Sequence, residues 1–452
     1  MIYTKNANTS SIFSHFLLWA FFLVLSVQNG IAQVKLRYFT LENGLRVICI
    51  EKKSAPIIFF SIWYLCGAKN DAISKSGVAH FLEHMAFSFN KREFNNFLED
   101  IGASKNAFTS IQTICFHEMF QKDHIEDVFK YEAKRMVSFR IENDDFVKEK
   151  KAIQEEWLSS VGNNPSGMLH EAAMANIFNR ECGGIGILGW KHEIETIKEE
   201  DLYTFHQKWF APNNAIIIIS GDFDFDQIKK LAEQYFGEIP TKKIEEPSVE
   251  DRRNFERGVK EISYGSPKNG SLAITKYIYN APFSSKKHLR KGIALDVAIM
   301  ALNQPESFPK KILKDTRNCA TGVSFCYIDR LFQQDIITAK ISASSIDNIQ
   351  EAENTWNYLQ KRLAATGVTK SELEAVKLQY CLALAYRKDD IEQISNYYGG
   401  WLTAGYSLEE VQSVVDLVRS LSVEECNQCL REVFSQAPNA VIRTVPKGYD
   451  RE

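Results

Sequence analysis

Gly77-Val78-Ala79-His80-Phe81-Leu82-Glu83-His84-Met85-Ala86-Phe87 is the stretch from which the rest of the chain is read. It holds His-x-x-Glu-His on a run with no helix breaker after Gly77. On an α-helix His80 and His84 leave one face, because residues four apart stack one turn above another. Two neutral imidazoles so placed can take two corners of a tetrahedral zinc site. Glu83 lies about 100° round the helix from His84 and about 60° from His80. From there it can reach a free corner of the metal and accept a proton from water held in it. Ser76 stands where an N-cap is expected.

A catalytic zinc needs a third protein ligand, and no nearby histidine supplies one. The predicted helix 143–160 offers Glu149, Glu155 and Glu156. Glu149 and Glu156 are seven apart, about 20° short of two turns, and share a face; Glu155 turns about 100° away, toward solvent.

Around this core the chain alternates strand and helix. Asn43-Gly44 marks a hairpin between strands at Tyr38–Thr40 and Leu45–Ile50. Further strands are expected at 57–65, at Asn106–Phe116 and at Ala215–Gly221, with helices over 93–101, 124–138 and 200–208. Gly237–Arg257, with Pro240 and Pro247 and a high charge density, reads as a linker. Beyond it come strands at 272–279 and 334–343 and helices over 286–303, 350–365 and 370–388. The fold class is α+β, in two halves of similar texture: 33–236 and 258–452, joined by 237–257.

The net charge of −3 argues against nucleic acid as a partner. Residues 1–32 hold an apolar run from Phe16 to Val27, then Gly30-Ile31-Ala32, and read as a secretory signal cleaved after Ala32. The expected location is therefore periplasmic or extracellular, with an uncleaved anchor as the alternative. The nine cysteines form no dense disulfide framework, and Cys426-x-x-Cys429 reads as two half-buried helix residues.

These motifs together resemble the pitrilysin and mitochondrial-processing-peptidase family of inverzincin metallopeptidases. The resemblance rests on His80-Phe81-Leu82-Glu83-His84, on Glu149-x6-Glu156, and on Asn106-Ala107-Phe108-Thr109-Ser110. It extends through Leu188-Gly189-Trp190, Asp201-Leu202 to Phe205, and Ala211-Pro212-Asn213-Asn214-Ala215 to Gly221-Asp222. It implies two homologous domains forming a half-clamshell, with Zn2+ on His80, His84 and Glu156. It also implies Glu83 as general base, Glu149 as a support of the site, and peptide substrates added as a strand beside Asn106, Ala107 and Phe108. After His206 only His288 remains, so the second half cannot repeat the site.

The departures are informative. The family's second half carries an Arg and a Tyr that stabilise the substrate oxyanion. Here Lys314 and Thr321 stand in those places, with Arg317 or Tyr327 as substitutes in another register, and Ser88-Phe89-Asn90 replaces Lys-Gly-Thr. The expected function is a zinc endopeptidase acting as the zinc-bearing subunit of a homodimer or heterodimer. The alternative is a non-catalytic peptide-binding subunit.

Overall fold

The computed structural model describes residues 35–88, 94–141, 143–177, 186–245, 259–264, 274–281, 283, 285–313, 319–328 and 335–446. The expected signal segment, Lys314, Arg317 and Phe89-Asn90 lie outside them.

Six strands build the first sheet: β1 (Lys35–Thr40), β2 (Arg46–Glu51), β3 (Ile57–Tyr64), β4 (Ser104–Thr109), β5 (Ile114–Gln121) and β6 (Ala215–Gly221). Their spatial order is β1-β2-β6-β3-β5-β4, which leaves β4 on an edge. The apolar run of β6 is buried along its whole length, as befits a strand covered on both faces. Five more strands form the second sheet: β7 (Val259–Tyr264), β8 (Ile274–Asn280), β9 (Ala320–Ile328), β10 (Ile336–Ala343) and β11 (Ala440–Pro446). Their order is β7-β11-β8-β10-β9. The pattern of β2-β6-β3-β5-β4 repeats here, one parallel pair followed by antiparallel pairs. The architecture is α+β in two halves.

Helices of eleven or more residues are α1 (Val78–Ser88), α2 (Ile125–Val137), α3 (Asn143–Trp157), α4 (Pro165–Ile177), α5 (Glu199–Trp209) and α6 (Phe225–Phe236) in the first half. The second half adds α7 (Leu289–Leu302), α8 (Ile349–Thr366), α9 (Lys370–Asp389), α10 (Ile391–Thr403), α11 (Leu408–Ser420) and α12 (Val423–Phe434). One face of the first sheet buries against α1, α2, α5 and α6 through Val47, Phe60, Ile62, Phe81, Phe129 and Ile217.

The other faces are covered by exchange. Helix α10 from the second half lies on β3 and β6: Ser395 bonds Ser220 at 2.9 Å, and Gly399 is so close to Trp63 that a Cβ would sit 2.2 Å from the ring. Helix α4 from the first half lies on the second sheet, packing Leu169 and Ala173 against Ile274, Ile278 and Ile442. Each half thus completes the other's core, and each fully buried Ile contributes about 1.5–3 kcal/mol.

Two expectations are corrected. Asn106–Phe116 is not one strand: β4 ends at Thr109 and β5 begins at Ile114. Ser110 Oγ accepts from Gln112 N (3.1 Å) and Thr113 N (2.9 Å), closing a turn without Gly or Pro. The helix expected over 143–160 stops at Trp157 and finishes as a π-turn, Leu158–Gly162. At the start of the 237–257 segment, Asn43 Nδ2 donates to the carbonyls of Phe236, Gly237 and Ile239.

Candidate metal centre and peptide cleft

Helix α1 starts on a built anchor, though not on the residue expected. Asp71 supplies it: Oδ2 accepts from Gly77 N at 2.7 Å and Oδ1 from Ala79 N at 2.8 Å. Two of the orphan N–H groups of the first turn are thereby satisfied. Ser76 is occupied otherwise, its Oγ accepting from Trp190 N (2.9 Å) while its own N–H goes to Glu193 Oε2 (2.8 Å). Gly77 and Gly189 both have positive φ (89° and 79°). A Cβ on Gly77 would lie 2.6 Å from Leu188 O, and one on Gly189 2.4 Å from Ser76 O. This reciprocal close approach locks the Leu188–Trp190 loop against the start of α1.

His80 and His84 project from α1 with ring centroids 4.7 Å apart. Glu156 Oε2, from α3, lies 3.6 Å from His80 Nε2 and 3.7 Å from His84 Nε2. Those separations exceed hydrogen-bond length. They approach the roughly 3.3–3.4 Å edge of a tetrahedron with metal bonds of about 2.0–2.1 Å. The three ligand atoms all lie within 4.8 Å of one another, the one such grouping among the described residues. The donor set, two imidazoles and a carboxylate, suits zinc.

Protonation states agree. Burial, helped by neighbouring His84, pushes the His80 imidazole down to about 3, so it stays neutral with a lone pair to give. Glu149 Oε2 stands 3.2 Å from His84 Nδ1. Accepting Nδ1–H, it leaves Nε2 free to face Glu156. His80 Nδ1 is buried, with no hydrogen-bond partner among the described residues. Glu155 is exposed and pairs with Lys151 at 3.7 Å, as its place on α3 predicts.

Glu83 is buried beside the histidines, and burial raises its pKa. Its Oε2 accepts from Thr109 Oγ1 at 3.2 Å. Thr109 closes the edge strand β4, on which Asn106, Ala107 and Phe108 also lie. A cleft of about 780 Å³ joins these groups, lined by His80, Glu83, His84, Glu149, Glu156 and the Asn106–Thr109 strand, with Phe87 and Leu188 on its walls. The described lining belongs wholly to the first half.

The described second-half candidates, Thr321 and Tyr327, are not among its lining residues. Thr321 is exposed, and its Oγ1 donates to Ser342 O at 3.3 Å. Tyr327 donates its hydroxyl to buried Asp335 at 2.5 Å. Sequence reasoning missed Asp71 and Glu193. A carboxylate six and eight residues ahead of the N–H groups it caps leaves no periodic trace. Thr109 was in plain view within its motif, but its bond to Glu83 required the fold.

The arrangement defines a class: an α+β chain with a His/His/Glu set able to hold a metal, beside the edge strand of the described first sheet. Residues 46–188 match the family described as Insulinase (Peptidase family M16), and residues 196–380 match Peptidase M16 inactive domain. The chain belongs to the M16 peptidase family.

It is 27% identical over 227 residues to zinc protease PqqE of Helicobacter pylori, covering 47% of this chain and 51% of that protein. To the uncharacterized zinc protease YmxG of Bacillus subtilis it is 20% identical, over 89% of this chain and 96% of that one. The beta subunit of the mitochondrial-processing peptidase of Lentinula edodes is 29% identical over 44% of each chain. The chain thus spans only about half the length of PqqE in that match. Among solved structures, a Helicobacter pylori protease superposes with a TM-score of 0.81 at 20% identity, over 91% of this chain and all of that one. The periplasmic protease PqqL of Escherichia coli gives 0.70 at 18% identity, over 91% of this chain and 47% of that one. These likenesses support the fold; no described helix is long and apolar enough to cross a membrane.

Proposed function

We propose that the chain is a zinc-dependent endopeptidase that hydrolyses peptides laid along β4. The observation that carries this reading is the convergence of His80 Nε2, His84 Nε2 and Glu156 Oε2 beside buried Glu83. His80, His84 and Glu156 would hold the metal, and Glu149 keeps His84 in the tautomer that presents Nε2. Zinc, when bound, supplies a Lewis acid that polarises a carbonyl and makes water acidic enough to attack near neutral pH.

The rest of the work falls to the chain. Glu83 takes the proton from the attacking water and is placed to pass it to the leaving amine. Thr109 keeps one Glu83 oxygen oriented through its hydrogen bond, leaving the other for the proton. The free edge of β4 offers backbone N–H and C=O groups to an extended peptide, so recognition is largely independent of side-chain identity. Export supports this reading as a workplace for the enzyme: residues 1–32 carry the pattern of a signal segment.

The test is Glu83→Gln. The variant is expected to bind zinc as the parent does and to lose about 10²–10⁴-fold in hydrolysis of a mixed peptide library. Retention of more than about a tenth of the parent rate would overturn the assignment.

A further inference from the structure

The face of the second sheet that α4 partly covers carries two lysines side by side. Lys276 on β8 and Lys340 on β10 are direct cross-strand partners, in a row that continues to Ile442 on β11 and Ser324 on β9. Ile274 and Ile278 flank Lys276 at the same-face spacing and pack against α4. Lys276, and Lys340 opposite it, therefore share that face. Both are half-buried, and Ser324 beside them is exposed. Neither ammonium has an ion pair or a hydrogen-bond acceptor among the described residues.

Like charges directly opposite one another on a sheet oppose pairing, and partial burial adds a desolvation cost. The titratable groups on α4 are His170, whose pKa burial and then Lys276 depress, and Glu171, whose carboxyl burial pushes up to about 7. Lys276 is itself shifted down by burial, which Cys326 opposes and Lys340 reinforces. An anion would relieve both costs.

The pair also lies near the cleft. Ile111, two residues beyond Thr109, packs into the same apolar cluster as Ile274 and Ile278, the neighbours of Lys276. Those neighbours stand about 7 Å from it along the strand. The loop that follows β4 and the lysine pair thus border one apolar cluster.

We propose that Lys276 and Lys340 form a carboxylate-binding subsite for the peptide substrate, receiving acidic side chains or the C-terminal carboxylate beyond the segment paired with β4. This rests on the reading of the cleft as a peptidase site. Ser324 offers a neutral donor at the same row.

The test uses the full chain carrying Glu83→Gln and fluorescence anisotropy with three peptides of one core sequence. The first has an acidic tail and an amidated end, the second a neutral tail and a free carboxylate, the third a neutral tail and an amidated end. The first is expected to bind about 10-fold tighter than the third at low salt, with the advantage shrinking as salt rises. A gain confined to the second would identify the terminal carboxylate as the ligand instead of side chains, and would equally support the subsite. Lys276→Gln combined with Lys340→Gln is expected to abolish the difference, and Lys340→Glu to turn it against the acidic tail. Thermal unfolding checks the folding of each variant, and Lys276→Met with Lys340→Met provides a second neutral pair with the apolar stems retained.

Equal affinity for all three peptides in the chain with both lysines would overturn the subsite, as would an unchanged preference in a folded neutral pair. Hydrolysis of the neutral amidated peptide by the unmutated chain separates the two readings. If that peptide is cleaved while discrimination is absent, the subsite alone fails. If no peptide is cleaved or bound, the reading of the cleft fails and the subsite falls with it.

Discussion

His84 is held between two carboxylates of one helix: Nδ1 lies 3.2 Å from Glu149 Oε2, and Nε2 lies 3.7 Å from Glu156 Oε2. Seven residues separate the two glutamates, close to two helical turns, so α3 meets α1 with both at once. One carboxylate faces the position proposed for the metal, and the other fixes the ring that points there. Their substitutions should therefore differ in kind.

Glu156→Gln removes a charged donor from the site and is expected to cost most of the zinc affinity. Glu149→Gln leaves the donor set intact but weakens the hold on His84, at about the 10–100-fold typical of an outer partner. Glu155→Gln should leave affinity unchanged. Zinc titration against a competing chelator, read for the three variants side by side, checks the ranking. A large loss in Glu155→Gln would mean that α3 presents a different face.

Asp71 is predicted to matter as much to the helix as the histidines do to the metal. Its two oxygens accept from Gly77 N and Ala79 N in the buried first turn of α1. Asp71→Ala leaves those donors unpaired and is expected to cost about 1–3 kcal/mol or more. Asp71→Asn keeps one acceptor but turns an amide NH₂ toward the other N–H, so it should rescue only part. Urea unfolding of the three chains measures this. A loss below about 0.5 kcal/mol in Asp71→Ala would show that water satisfies the helix end.

What could be read in advance, and what could not, follows from the range of the interactions. His80, Glu83 and His84, and Glu149 with Glu156, were legible because helical period alone decides which side chains share a face. The helices α11 and α12 had local signals as well: Ser407 with Glu410 and Ser422 with Glu425 form capping boxes. The Ser110–Thr113 turn escaped because its hydroxyl does the work of a turn residue within a run that reads as continuous strand. The exchange of α4 and α10 between the halves was beyond reach, since nothing in Leu169 or Gly399 says which sheet it will meet. Asp71 and Glu193 bind backbone groups across loops, and backbone groups have no signature in sequence.

His206 should make the fold sensitive to mild acid. It is buried, stacks on Phe139 with centroids 5.2 Å apart, and its Nε2–H donates to Arg135 O at 3.2 Å. Burial pushes its pKa down to about 4 against the usual 6.5. The native state thus binds fewer protons than the unfolded state between those values, and stability falls as pH drops through that window. The loss from this group is on the order of 3 kcal/mol by pH 4. Urea unfolding at pH 7 and pH 4.5 should show a markedly steeper loss in the parent than in His206→Gln, whose side chain can still donate to Arg135 O. Parallel losses in the two would assign the acid sensitivity to other groups.

The last prediction is that the chain works slowly alone and quickly with a partner that supplies what its second half lacks. In hydrolysis, charge develops on the carbonyl oxygen as well as on the attacking water, and removing one fixed donor to that oxygen typically costs about 10²–10³-fold. Among the described residues lining the cleft there is no arginine, lysine or tyrosine. Thr321 sits at the bulge of β9 against β10, exposed and bonded to Ser342 O. Tyr327 is bound to Asp335 at 2.5 Å and is not in the lining. Tyr327→Phe should consequently lower stability by about 1–2 kcal/mol and leave turnover unchanged. Adding a family chain that lacks the zinc motif but carries the Arg/Tyr pair is expected to raise peptide turnover about 10²-fold or more. Lys314→Arg with Thr321→Tyr in the same chain should recover part of that gain. Steady-state kinetics of the parent alone, with the partner, and of the double variant decide the matter: equal rates in all three would show that the isolated chain already has its oxyanion donors.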